Sequence, residues 1–287
     1  MRKMRWYQRV YMVAIFGFLY IPIAVLIAFS FNESKSRTVF TNFTFNWYKN
    51  LFSNEMILKS LAVSLVIAFI SATVATVLGT TAAIGINSLK KRTRTVVMGI
   101  SYVPVIDPEI ITGVSMMLLF VVFNTQISSV LSSILGFEVS MNSFGITTLL
   151  IAHITFNVPY VIFSVGPKLR QLDRHVYEAA LDLGCNPRQA FFKVVLPELT
   201  PAIFSSFLIC LTYSIDDFII SYFTSGTVQT LPIAIYSMTK KKVSPEINAL
   251  SAIMFAVILS IILVSNGIDS RREKRLSRAA RAEEGKL

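Results

Sequence analysis

Asp107, Glu109, Asp216 and Asp217 stand inside stretches that are otherwise apolar and that contain neither lysine nor arginine. An ionised carboxylate near the centre of a bilayer costs on the order of 3 kcal/mol even on a lenient insertion scale, so such residues point to a task. Acids without basic neighbours suit a pathway for a cation. Each also has a structural reading. Asp107-Pro108-Glu109 has the form of a helix cap followed by proline at the first position, with Glu109 at the positive end of a restarted helix. Asp216 and Asp217 could instead be a hydrogen-bonded pair fixing helix packing. Consecutive helical residues differ by about 100° in direction, so both cannot face one channel. Asp216 shares a face with Thr212, Tyr213 and Ile220 by helical spacing. Tyr213 and Tyr222 offer faces for a cation, and tyrosine is also a common interfacial anchor.

The elements that must position these groups are apolar helices. The chain is 54% hydrophobic and only 15% charged, with a mean hydropathy of +0.62, whereas soluble domains carry about 25% charged residues. Apolar stretches fall at 10–31, 60–86, 96–123, 144–166, 201–222 and 247–268, each long enough to cross about 30 Å of hydrocarbon as a helix. The expectation is an all-α polytopic membrane protein, a single domain over 1–287 with six transmembrane helices. At 1.5 Å per residue, Asp107 and Glu109 fall roughly 16–20 Å into the third span, and Asp216 and Asp217 about 23–24 Å along the fifth.

The net charge of +11 invites a nucleic-acid reading, but its distribution excludes one. Twenty of the 27 basic residues lie before the first span, in the second and fourth loops and in the tail, which places both termini in the cytoplasm. Lys240, Lys241 and Lys242 run against that rule locally. The basic start precedes a long apolar run with no cleavage site, so it reads as the first span rather than a signal peptide. Cys185 falls in a predicted cytoplasmic loop and Cys210 within a span, so no disulfide or metal framework is implied. His153 has no second His or Cys nearby, so a metal site is not expected; with Asn157 it reads as an interhelical hydrogen-bonding pair. Ser71, Ala75, Gly79 and Ala83 form a small-residue face for close packing against another helix. No phosphate-binding Gly-rich loop with lysine is present, so this chain is not expected to hydrolyse ATP or to hold a cofactor.

The fourth loop, 167–200, reads as two short helices. Asp173 caps the first, which ends at Gly184; Asn186-Pro187 opens the second, which meets Pro197, and Thr200-Pro201 repeats the device to open the fifth span. Within this loop, Glu178-Ala179-Ala180, Gly184, Val194 and Leu196-Pro197 resemble the EAA motif of binding-protein-dependent ABC importer permeases. Val194 stands where isoleucine is usual. The resemblance implies that this cytoplasmic coupling loop docks on an ATPase subunit, with Glu178, Ala179, Ala180, Gly184, Leu196 and Pro197 as coupling residues.

Further segments narrow the resemblance to the spermidine/putrescine permeases of that family: Tyr20-Ile21-Pro22-Ile23, Ser30-Phe31-Asn32, His153-Ile154-Thr155-Phe156, Ser214-Ile215-Asp216-Asp217 and Ile235-Tyr236-Ser237-Met238. The segment 124–143 matches less well. The implied protein is a bacterial cytoplasmic (inner) membrane permease subunit. Its implied partners are a homologous permease, an ABC ATPase dimer and an extracytoplasmic polyamine-binding protein. Asp216, Asp217, Tyr213 and Glu109 are the candidate pathway residues. The alternatives are an ABC permease for another small cationic solute, or a self-sufficient secondary cation transporter, which would have no use for an ATPase-docking loop.

Overall fold

A computed structural model describes residues 5–34, 36, 39–135, 144–241, 245–260 and 263. The helices are α1 (Trp6–Phe29), α2 (Asn46–Ser53), α3 (Glu55–Ser88), α4 (Lys91–Ile106), α5 (Glu109–Leu135), α6 (Ile146–Gln171), α7 (Arg174–Asp182), α8 (Pro187–Ala190), α9 (Leu196–Asp216), α10 (Ile219–Thr224) and α11 (Leu231–Lys241). A further apolar helix, α12, covers Glu246–Ser260. Among the described residues there is no strand, only one isolated bridge between Asn32 and Phe43. Five helices are long and apolar enough to cross a membrane, and α12 is a shorter apolar one. The fold is that of an all-α polytopic membrane protein. The basic tail, Lys242, Ser244 and the end of the expected span 247–268 lie outside the described residues, apart from Leu263.

The chain forms two compact units, one of 1–58 with 235–287 and the other of 59–234. In the second unit the core is built where α3, α6 and α9 meet, with Ala72, Ala83, Val161, Val165, Leu199 and Cys210 buried. Small residues on α3 make this possible. A methyl group on Gly79 would sit 2.5 Å from Cβ of Val161 and 3.0 Å from the Val158 carbonyl oxygen, so the two backbones approach as only glycine allows. The small-residue face of α3 is therefore satisfied within this chain. A polar thread ties the same three helices together: Ser71 and Ser214 share a hydrogen bond of 3.0 Å, and Asn157 Nδ2 donates to Ser214 at 2.8 Å.

Two expected spans prove to be broken. The span expected at 96–123 is α4 and α5, interrupted at Asp107-Pro108, where Asp107 is extended. Proline disfavours helical geometry in the residue before it, which accounts for the break. The span expected at 201–222 is α9 and α10, interrupted at Asp217-Phe218. No proline marks that break. A carboxylate that captures backbone N–H groups does the work instead, as the site geometry shows.

The expected boundary before the fifth span also moves. α8 passes through a π-turn at Phe191–Val195 directly into α9, so residues 187–216 form one helical run. Thr200-Pro201 lies inside it, and the Thr200 hydroxyl bonds back to the Leu196 carbonyl at 2.9 Å. The wider π-turn, in which the Leu196 N–H reaches back to the Phe191 carbonyl, directly precedes Pro197, and the helix continues past this residue that has no N–H to donate.

Candidate functional site

The two helix breaks face the same space. A cavity of about 600 Å³ is lined by Asp107, Pro108 and Glu109 from the first break and by Asp216, Asp217 and Phe218 from the second. Phe156 and Tyr160 of α6 and Tyr213 of α9 complete the aromatic part of its wall. All four intramembrane acids therefore meet in one place, although the two pairs lie more than a hundred positions apart in sequence. α5 and α10 are held together by a glycine. A methyl group on Gly113 would meet the Phe223 ring at 2.9 Å and the Ile219 carbonyl oxygen at 3.5 Å.

The four carboxylates are not equivalent. Asp217 is committed to structure: its side chain is 6% exposed, Oδ1 accepts from the Ile220 N–H at 3.2 Å and Oδ2 from the Ser221 N–H at 2.7 Å. Those two donors belong to the first turn of α10, which has no intrahelical acceptor for them. His153 supports the arrangement from α6. Its Nε2 lies 3.0 Å from the Ser221 hydroxyl and 3.5 Å from Asp217 Oδ2, and the residue is 1% exposed. The expected interhelical bonds of His153 and Asn157 are thus present. Asp107 accepts a hydrogen bond of 3.1 Å from the Thr112 hydroxyl, one turn into α5.

Asp216 and Glu109 differ. Both are exposed to the cavity side, and among the described residues neither carboxylate takes part in a hydrogen bond or ion pair. The expected shared face of Asp216 with Ile220 does not survive, because the helix stops between them. Tyr213 packs edge-on against Tyr160, with ring centroids 4.8 Å apart, and is itself half exposed. The arrangement offers open anionic oxygens beside aromatic faces, a setting suited to an ammonium group on an apolar chain.

The loop before α9 forms a second candidate site. Asp173 accepts from the His175 N–H at 3.0 Å and caps α7. At the other end the Gly184 N–H reaches the Leu181 carbonyl at 2.9 Å and the Cys185 N–H reaches the Ala180 carbonyl at 3.1 Å. This is a Schellman motif, and its left-handed position is Gly184, with φ +88°. Asn186 and Gln189 then form a reciprocal capping box with Pro187 at the first helical position. Ala180 is buried, whereas Glu178, Ala179 and Pro197 are exposed and Leu196 is half-buried. Val176, Leu183 and Phe192 are exposed apolar residues here, Leu183 at 87%. A cavity of about 770 Å³ adjoins the loop, lined by Arg94, Lys168 and Arg170 together with Asp173, Glu178 and Glu198.

Residues 75–278 match the family described as binding-protein-dependent transport system inner membrane component. The chain belongs to that family. Among curated relatives of this transport component, the spermidine/putrescine transport system permease protein PotC of Haemophilus influenzae is 34% identical over 90% of this chain and 94% of its own. The putrescine transport system permease protein PotI of Escherichia coli is 35% identical over 91% and 89%. Among solved structures, a bacterial ABC transporter involved in the import of the acidic polysaccharide alginate superposes with a TM-score of 0.70 at 19% identity. It covers 92% of this chain and 94% of the matched one. That likeness shows the fold alone, which the family member shares.

Of the two helix breaks, sequence reasoning read the first as a helix restarted at Asp107-Pro108-Glu109 and missed the second. The first had a visible signal in Asp107-Pro108. The second had only the adjacent acids, read as one helix because nothing in the run 201–222 after Pro201 is a helix breaker.

Proposed function

We propose that this chain is the permease subunit of an ABC importer that moves polyamines across the bacterial cytoplasmic membrane, with both termini in the cytoplasm. The observation that carries the reading is the single cavity formed by two broken helices, with open carboxylates of Asp216 and Glu109 beside Tyr160 and Tyr213. Discontinuous helices near the membrane midplane are a recurrent way to expose binding groups within a bilayer. A polyamine carries separated ammonium groups on a flexible methylene chain. Asp216 and Glu109 would hold the charges in turn, and the aromatic rings would cover the methylenes. Asp217 shapes the cavity by holding the start of α10, and its charge adds to the field.

Curated relatives named for spermidine and putrescine transport support the cargo, and the EAA-type loop supports an ATPase partner. The exposed Glu178, Leu183 and Phe192 present a mixed polar and apolar surface suited to docking in a groove. In this reading Ala180, Gly184, Leu196 and Pro197 hold the loop's shape, with Ala179 at its surface. ATP is hydrolysed by the partner ATPase dimer, a homologous permease supplies the other half of the pathway, and an extracytoplasmic binding protein delivers the polyamine.

The test is uptake of labelled spermidine or putrescine, with ATPase activity, by the reconstituted complex. Asp216→Asn is expected to lower polyamine uptake with assembly intact. Glu178→Ala is expected to separate ATP hydrolysis from uptake or to release the ATPase. Unchanged uptake in the Asp216 variant would remove that residue from the pathway.

A further inference from the structure

The segment that follows α1 is small, ordered by its own hydrogen bonds, and unusually aromatic. Asn32 is buried and organises it: its Nδ2 donates to the Val39 carbonyl at 2.8 Å, and its Oδ1 accepts from the Thr41 N–H at 2.9 Å. Trp47 Nε1 donates to the Asn32 carbonyl at 2.6 Å. On this frame Phe31 stacks on Phe43 with centroids 5.1 Å apart and on Tyr48 at 5.2 Å, while Phe45 meets Phe31 and Phe43 edge-on. The cluster is not covered. Phe43 is 62% exposed, Phe52 is 63% exposed, and Phe40 and Phe45 are about half exposed. Rings held this firmly and left this open mark a surface that meets something apolar.

α2 shows the same two-sidedness. On a helical projection Trp47, Tyr48, Leu51 and Phe52 occupy one arc, and Asn46, Lys49, Asn50 and Ser53 occupy the opposite one. Its height relative to the membrane follows from two facts. Arg9 is the last charged residue of α1, and Ser30 lies roughly 31 Å further along the axis at 1.5 Å per residue, about the thickness of the hydrocarbon. The Tyr48 hydroxyl is then hydrogen-bonded to the Ser30 hydroxyl at 2.7 Å, which ties α2 to that boundary.

We propose that residues 39–53 form an interfacial anchor. α2 rests along the headgroup layer at the end of α1 remote from Arg9, and Phe40, Phe43, Phe45 and Phe52 contact lipid. The occupant is a phospholipid surface, because the exposed rings begin where the lipid-length apolar helix ends and are fixed at that level by Ser30 and Tyr48. Aromatic side chains favour this depth, and Lys49 on the polar arc faces water. The consequence is a fixed reference plane for the outer end of α1.

The experiment places a nitroxide at Phe43→Cys, Phe52→Cys or Lys49→Cys in the full chain, with Cys185 and Cys210 replaced by alanine. The complete transporter is studied in phosphatidylethanolamine/phosphatidylglycerol vesicles. Collision rates are measured with oxygen and with a water-soluble nickel chelate. Positions 43 and 52 are expected to show an oxygen-to-nickel ratio several-fold above that of position 49, unchanged when the binding protein is added. Equal ratios at all three positions would overturn the anchor. So would nickel access at 43 and 52 that is lost on adding the binding protein, an outcome that would assign the face to that protein. If Phe43→Cys does not assemble, Phe40→Cys, whose ring meets Phe29 at the end of α1, carries the same comparison. None of these readings depends on transport, so failure of the polyamine assignment leaves them intact.

Discussion

Replacing Asp217 separates its structural role from that of its neighbour. In the folded chain its carboxylate satisfies the N–H groups of Ile220 and Ser221, at 3.2 and 2.7 Å, and both residues are buried. Asp217→Ala leaves those two donors, on residues only 3% and 0% exposed, without their acceptor. Each orphaned buried donor costs about 1–3 kcal/mol. The substitution also removes a buried carboxyl group, which lowers the penalty of inserting the segment. The expected net loss is about 2 kcal/mol, or roughly thirtyfold in the equilibrium between intact and opened site. Asp217→Asn keeps one carbonyl oxygen and remains a good cap, so its loss should be well under that of alanine. Thermal unfolding of the purified complex in nanodiscs reads the difference, and uptake is measured alongside. The expected order of stability is wild type, then Asp217→Asn, then Asp217→Ala. Asp216→Asn should unfold with the wild type while transporting less. If Asp217→Ala is as stable as wild type, or Asp217→Asn falls as far as alanine, the capping account is refuted.

Two further outcomes follow from close packing and from backbone handedness. Gly79→Ala forces a methyl group against Val161 and the Val158 carbonyl, so it should cost about 1–3 kcal/mol and lower the melting temperature; Gly85→Ala on the same helix, with nothing within 4 Å, should not. Gly184→Ala places a side chain at φ +88°, costing about 1–2 kcal/mol locally. Because the loop is surface-exposed, the effect should show as reduced ATPase coupling with little change in global unfolding, and Gly184→Asn should be milder.

Much of the loop before α9 was legible in the sequence because its signals are local. Asp173, Gly184 and Asn186-Pro187 act on backbone groups within four residues of themselves, and each appears in the structure as expected. Thr200-Pro201 misled for the same kind of reason. A cap-like pair carries no information about the π-turn upstream, which lets the helix continue through it.

Apolar length and charge placement alone determined that the chain is helical and membrane-spanning, since a bilayer demands both whatever the packing. The presence of four acids within apolar spans was equally plain from composition along the chain. Tertiary structure decided what each acid does. Asp216 and Asp217 are adjacent in sequence, yet one is open to the cavity and the other is consumed by the first turn of α10 and by His153. That division depends on where α9 stops. The stop depends on a carboxylate reaching N–H groups beyond it and on a histidine brought up by α6, 64 positions earlier in the chain. No local pattern encodes such a meeting, because its energy exists only once α6 and α10 are packed side by side.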